Sequence, residues 1–132
     1  MADPIDAIVD AVASTAPEGR GGLAARREYE SGENPSGERQ LAADVYADEL
    51  LEERLLAVDA VAGYASEERE SVVGDDGSYY VASDPLDGSS NLKSNNTMGT
   101  LFAVYDEPLP ASGRDLLASG FVLYGPITTM VV

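Results

Sequence analysis

The stretch from Tyr79 to Leu92, YYVASDPLDGSSNL, limits the possible folds of this chain more than any other. Tyr79-Tyr80-Val81-Ala82 has the composition of a strand. Pro85 fixes its own φ and biases Asp84 towards extended backbone. A strand is therefore expected to run into a turn carrying two carboxylates, Asp84 and Asp87, three positions apart. The Leu86 carbonyl adds a further hard oxygen beside Asp87. Gly88-Ser89-Ser90 follows with backbone N–H groups under little steric cover, an anion site if a helix or tight turn begins there. Carboxylates for a hard cation, followed at once by N–H donors for an oxyanion, suit metal-assisted phosphate chemistry.

The competing reading is an ordinary loop, since Asp-Pro and Asp-Gly are turn signals and Ser-Ser-Asn is loop composition. A calcium loop of the EF-hand type fails in both registers. With Asp84 first, positions three and twelve are Leu86 and Asn95; with Gly88 sixth, positions one and twelve are Ser83 and Ser94.

Charge bears on the same question. The chain has 132 residues, with 24 acids against 8 bases and a net charge of −16. Nucleic acid and anionic membrane are poor partners for such a surface. A phosphate ester is repelled too, unless metal ions invert the local potential. At about 1 M salt the Debye length is about 3 Å, so self-repulsion is largely screened, and the composition reads as a folded protein of a high-salt cytoplasm. Cysteine and histidine are absent. That excludes disulfides, thiolate sites, a Ser-His-Asp triad and histidine ligation. With no signal peptide and no long apolar run, the reading is soluble and cytoplasmic.

Asp3-Pro4 predicts a helix start, with Ile5, Ile8, Val9 and Val12 on one stripe, and Pro17 with Gly19 to Gly22 as its end. Leu23 to Glu30 is open between helix and strand, and Ser31 to Gly37 reads as a polar loop. A second helix is expected from about Glu38 to Ala57, with Ser36 as N-cap. Asp44 and Asp48 share one side of it, and Asp48 reads as part of a solvated acidic face. Val58 to Ala65 reads as a strand and Glu68-Arg69-Glu70 as a solvated charge run. Ser71 to Val73 and Ser78 to Ala82 read as a hairpin that returns the chain to Asp84, so that both acidic clusters meet at one sheet end. Thr97 to Tyr105 and Leu116 to Tyr124 read as strands around a loop from Asp106 to Arg114. Ile127 to Val132 reads as an apolar β run.

Asp84-Pro85-Leu86-Asp87-Gly88-Ser89-Ser90-Asn91 resembles the metal- and phosphate-binding signature of class I fructose-1,6-bisphosphatases. Inositol monophosphatases and the wider sugar-phosphatase superfamily carry a looser version. Met98-Gly99-Thr100-Leu101-Phe102-Ala103-Val104-Tyr105 favours the fructose bisphosphatase branch, and the resemblance extends over roughly Gly37 to Val132. It implies an α+β fold, the N-terminal part of a layered αβαβα architecture with helices on a mostly antiparallel mixed sheet, spanning residues 1–132. With the acidic composition it suggests a haloarchaeal member. Family members are longer, so the chain reads as an N-terminal fragment, inactive alone.

Carried over by resemblance, Glu67, Asp84, the Leu86 carbonyl and Asp87 match metal ligands, and Gly88, Ser89 and Ser90 with Asp87 match the segment that holds the scissile phosphate. Glu68 and Asp44 match groups that activate the attacking water. Glu38 falls where the family has an aspartate on a mobile loop that completes the site. Ser78-Tyr79 stands where the family has a lysine-tyrosine pair, and the AMP site of the animal enzymes is not recognisable. The resemblance implies two or more Mg²⁺ ions per subunit, or Mn²⁺, a sugar bisphosphate substrate and a homotetrameric full-length protein that works in gluconeogenesis. The rival readings are an inositol monophosphatase, a sedoheptulose bisphosphatase, a non-catalytic acidic module that binds divalent cations, and a pseudogene product.

Overall fold

The computed structural model describes residues 3–23, 25–26, 29–35, 37, 39–69, 72–74, 76–94, 97–125 and 127–132, without the side chains of residues 29–32, 39, 73 and 93. Asp3 caps the first helix, α1 (Pro4–Leu23), by accepting the Ile5 N–H at 2.9 Å. Its buried stripe is Ile8, Val12, Thr15, Ala16, Gly19 and Leu23. Pro17 and the glycines do not end it as expected. Gly22 lies against the Tyr46 ring, where a Cβ has no room, and the Tyr46 hydroxyl donates to the Glu18 carbonyl at 3.2 Å. The glycine-rich end is thus a contact surface, and packing overrides propensity there.

Two short strands follow, β1 (Tyr29–Glu33) and β2 (Arg39–Leu41), paired antiparallel. They settle the open stretch as strand in part, and they replace the expected loop and first helical turn. The second helix, α2 (Ala42–Leu56), begins later than expected. Asp44 sets that start, because its carboxylate accepts the Leu41 N–H at 2.8 Å. Ser36 and Glu38 lie outside the described residues.

Six strands form the main sheet: β3 (Val61–Ser66), β4 (Val73–Gly74), β5 (Tyr79–Asp87), β6 (Met98–Tyr105), β7 (Leu116–Tyr124) and β8 (Thr128–Val131). Their order is β4-β3-β5-β6-β7-β8. Only β3 and β5 run parallel; the other neighbours are antiparallel. The expected hairpin between residues 71–73 and 78–82 is therefore not formed. β4 folds back on β3, and β5 takes the far side of β3. Four residues cannot reverse the chain onto β5 while β3 fills the position between them.

The helices cover one sheet face. Ile8, Val12, Leu51, Leu55, Val61, Tyr64, Val81, Phe102, Val104 and Val122 make the main core cluster. A second cluster of Leu23, Leu41, Ala43, Ala47, Leu86, Leu92 and Met98 lies beneath the start of α2. On the other face Leu101, Phe121 and Val131 form an exposed row across β6, β7 and β8. The fold is α+β with a mixed sheet, as expected.

Candidate active site

Because β3 and β5 are parallel, the segments that leave them emerge side by side. Ser66 pairs with Ser83, and the Glu67 N–H donates to the Ser83 carbonyl at 3.1 Å. Glu67-Glu68 and Asp84-Pro85-Leu86-Asp87 thereby meet at one sheet end. The N-terminus of α2 points its positive end at the same place, through Leu41 and Asp44. The result is a cavity of about 540 Å³, lined by Asn34, Leu41, Asp44, Glu67, Glu68, Asp84, Leu86, Asp87, Gly88, Ser89 and Ser90. Every site residue singled out from the sequence lines it, apart from Glu38, which is not among the described residues. No Lys or Arg among the described residues lines it.

Residues three apart on a regular strand point to opposite faces. Asp84 and Asp87 escape this because the ladder between β5 and β6 shifts between them. Asp84 pairs with Leu101 and Asp87 with Gly99, so two residues of β5 stand opposite the single Thr100 of β6. This is a β-bulge, which re-aims side chains. It puts both carboxylates in phase. The Thr100 hydroxyl, buried, donates to the Pro85 carbonyl at 2.8 Å and lies 2.9 Å from the Tyr124 hydroxyl. The bulged strand is thus tied at the carbonyl that a regular ladder would serve. Gly88 then adopts φ of +76°, which glycine takes without strain, and residues Ser89–Ser94 form a 3₁₀ turn. The Leu86 side chain is in the second core cluster, so only its main chain is available to the cavity.

Burial, reinforced by the neighbouring Glu67 and Asp87 carboxylates, pushes the Asp84 carboxyl up to about 8. Glu67 and Asp87 stand within hydrogen-bonding reach of it. Its Oδ1 is buried and has no hydrogen-bond partner. Burial also pushes Glu68 up to about 7, although Gln40 holds its carboxylate with an amide hydrogen bond of 2.7 Å. Asp44, Glu67 and Asp48 add to the upward push on Glu68.

A family profile described as "Fructose-1-6-bisphosphatase, N-terminal domain" matches residues 20–132. The chain belongs to the fructose-1,6-bisphosphatase family. It is 74% identical over 133 residues to a class 1 fructose-1,6-bisphosphatase of Natronomonas pharaonis, a match that covers 99% of this chain and 47% of that protein. A Halobacterium salinarum class 1 enzyme is 58% identical, over 100% of this chain and 47% of its own length. The chain spans about half the length of the curated relatives it matches. Among solved structures, holo fructose-1,6-bisphosphatase of Leishmania major superposes with a TM-score of 0.79 at 27% identity, covering 96% of this chain and 45% of that one. A structure titled as a putative sedoheptulose-1,7 bisphosphatase of Toxoplasma gondii gives 0.74 at 28% identity, covering 94% and 42%.

Two neighbours of the site carried no signal in the sequence reading. Asn34 contacts Glu67 Oε1 at 3.5 Å, and Gln40 orients Glu68. Both precede α2 in a region whose strands are too short to show alternation. Asp48 corrects the reading of a solvated face. It is 6% exposed and accepts four hydrogen bonds: from Tyr64 at 2.9 Å, Ser66 at 2.6 Å and Arg69 at 2.9 and 2.5 Å. Arg69 also pairs with Glu52 at 2.8 Å, so it too leaves the expected solvated charge run. Glu70 lies outside the described residues.

Proposed function

We propose that the protein is a Mg²⁺-dependent phosphatase that hydrolyses the 1-phosphate of fructose 1,6-bisphosphate to give fructose 6-phosphate. The observation that carries this reading is the buried, unpartnered Asp84 Oδ1 beside Glu67 and Asp87, with the Gly88–Ser90 N–H groups on the same cavity. A buried carboxylate oxygen with no donor suits a hard cation. Among the described residues no three acidic side chains already stand in a metal-holding arrangement. Closing on an ion therefore takes side-chain rotation, and the exposed Asp87 side chain has room for it.

Glu67, Asp84, the Leu86 carbonyl and Asp87 would hold the ions. When bound, Mg²⁺ supplies positive charge to the phosphate and acidifies the attacking water. The chain's own groups do the rest. Glu68, fixed by Gln40, takes the proton of the water as it attacks in line. Asp44, fixed on the Leu41 N–H, orients that water. Gly88 and Ser89 N–H groups receive charge on the phosphate oxygens. The sugar oxygen leaves on the far side. No covalent phospho-enzyme is needed in this scheme. In the same reading the whole protein is a cytoplasmic homotetramer that works in gluconeogenesis. The named Toxoplasma neighbour favours sedoheptulose 1,7-bisphosphate as the second substrate to try.

The test is Asp87→Asn made in the full-length protein, assayed in molar KCl with saturating Mg²⁺ on both bisphosphates. Asn keeps turn propensity and removes the charge. A loss of about three orders of magnitude in kcat, equal to about 4 kcal/mol, is expected. Asp76→Asn, on an exposed bend, is the control. If Asp87→Asn keeps kcat and Mg²⁺ dependence, Asp87 is a turn residue and the assignment is wrong.

A further inference from the structure

Arg69 follows Glu68 directly, yet it does not line the acidic cavity. Its guanidinium is turned away onto α2. Asp48 and Glu52, one helical turn apart, grip it at 2.5 and 2.8 Å, and it lies 5.2 Å from the centroid of the Tyr64 ring. Its side chain is 18% exposed and that of Asp48 is 8% exposed. The other oxygen of Asp48 takes the hydroxyls of Tyr64 and Ser66. Ser66 Oγ in turn accepts the Glu68 N–H at 3.1 Å. One carboxylate therefore holds the backbone on both sides of Glu67-Glu68.

We propose that Asp48 is a positioning residue that keeps the Arg69 guanidinium out of the acidic cavity and so leaves Glu67 and Glu68 free to take a cation. The inference rests on the metal-binding reading of the cavity. An arginine released beside three carboxylates has a bidentate partner at hand. Once seated there, it supplies internally the positive charge that the site otherwise takes from metal, and the two compete. A neutral residue at position 48 keeps the hydroxyl hydrogen bonds in part but loses the charge that restrains Arg69. The loss in metal binding then depends on Arg69 being present.

Mn²⁺ alone is the probe, titrated in molar KCl and followed by electron paramagnetic resonance, with circular dichroism to monitor the fold. Asp48→Asn should bind Mn²⁺ about 10- to 100-fold more weakly, the range typical of outer-shell partners. Adding Arg69→Gln to Asp48→Asn should return the affinity to within about threefold of the starting protein, a coupling that independent sites would not show. A purely structural role predicts the opposite, a further loss. A double variant as weak as Asp48→Asn, or an Asp48→Asn protein that binds like the parent, overturns the proposal. Should Asp48→Asn not fold, Arg69→Gln alone decides. It should keep parental affinity, and a large loss would show that Arg69 supports the site instead of threatening it. A parent protein that binds no Mn²⁺ sinks the metal reading itself, and this inference with it.

Discussion

Replacing Asp84 by Asn should separate stability from metal binding, with opposite signs. Without metal, the ionised Asp84 is half-buried and faces Glu67 and Asp87. The rise from 3.8 to about 8 corresponds to about 6 kcal/mol at full strength. Solvent reaches the half-buried group, so screening cuts this to about 1–2 kcal/mol. Asn removes the repulsion, and its amide donates to the neighbouring carboxylates. In molar KCl with chelator at pH 9, the variant should melt about 4–8 °C higher than the parent, at about 4 °C per kcal/mol for a domain of this size. With Mg²⁺ at 100 times its Kd, the parent should gain about 2.7 kcal/mol, or about 10 °C. The variant should gain less than a third of that, having lost the oxygen that protein donors leave unsatisfied. The variant's lead in melting temperature should therefore close or reverse when metal is added. Differential scanning calorimetry reads all four values. An Asn variant that melts lower in chelator, or that keeps the full Mg²⁺ gain, refutes the reasoning.

Asp84 and Glu68 are both raised, so the folded chain holds their protons more tightly than the unfolded chain does. Their stabilisation is complete below about pH 4 and is lost as pH rises through about 7 and 8, and chelator-treated melting curves at constant KCl should show that decline. Thr100→Val keeps shape but leaves the Pro85 carbonyl without its donor, which should cost about 1–3 kcal/mol by urea titration; an unchanged midpoint would show that the bulge does not need it. Lowering KCl from molar to millimolar should loosen the fold by self-repulsion of its net −16 charge, read by circular dichroism, and an unchanged spectrum would show that the acidity is not an adaptation to salt.

The site was legible where chemistry and chain direction coincide. Asp84, Asp87 and Gly88 sit in eight consecutive residues, and Ser66-Glu67-Glu68 ends an apolar run, so their convergence followed from two strands ending together. β6 and β7 were legible because β6 carries the continuous apolar run Leu101 to Tyr105 and its pairing partner is next in sequence. β4 was misplaced because nothing in a two-residue strand says which neighbour it will join. Asp48 was misread because a buried carboxylate looks like an exposed one in a sequence. Its decisive partner, Arg69, lies 21 residues away. The end of α1 was misread because Gly22 serves packing against Tyr46, a reason invisible until both helices are placed.

The bulge at Pro85-Leu86 makes the acidic motif sensitive to spacing as well as to residue identity. Removing one residue there would restore a regular ladder with β6 and leave both aspartates on one face, opposite Leu101 and Gly99, but it would straighten the strand and take away the extra stretch of main chain beside the cavity. Removing two would make the aspartates neighbours in the chain and send them to opposite faces. The first change keeps the two carboxylates without the bulge and the second breaks the pair, whereas substitutions within the pair of bulged residues leave the spacing intact. Along this stretch, spacing should therefore drift less than composition, and an aligned relative with a two-residue gap between its two aspartates has lost the site even if both aspartates survive.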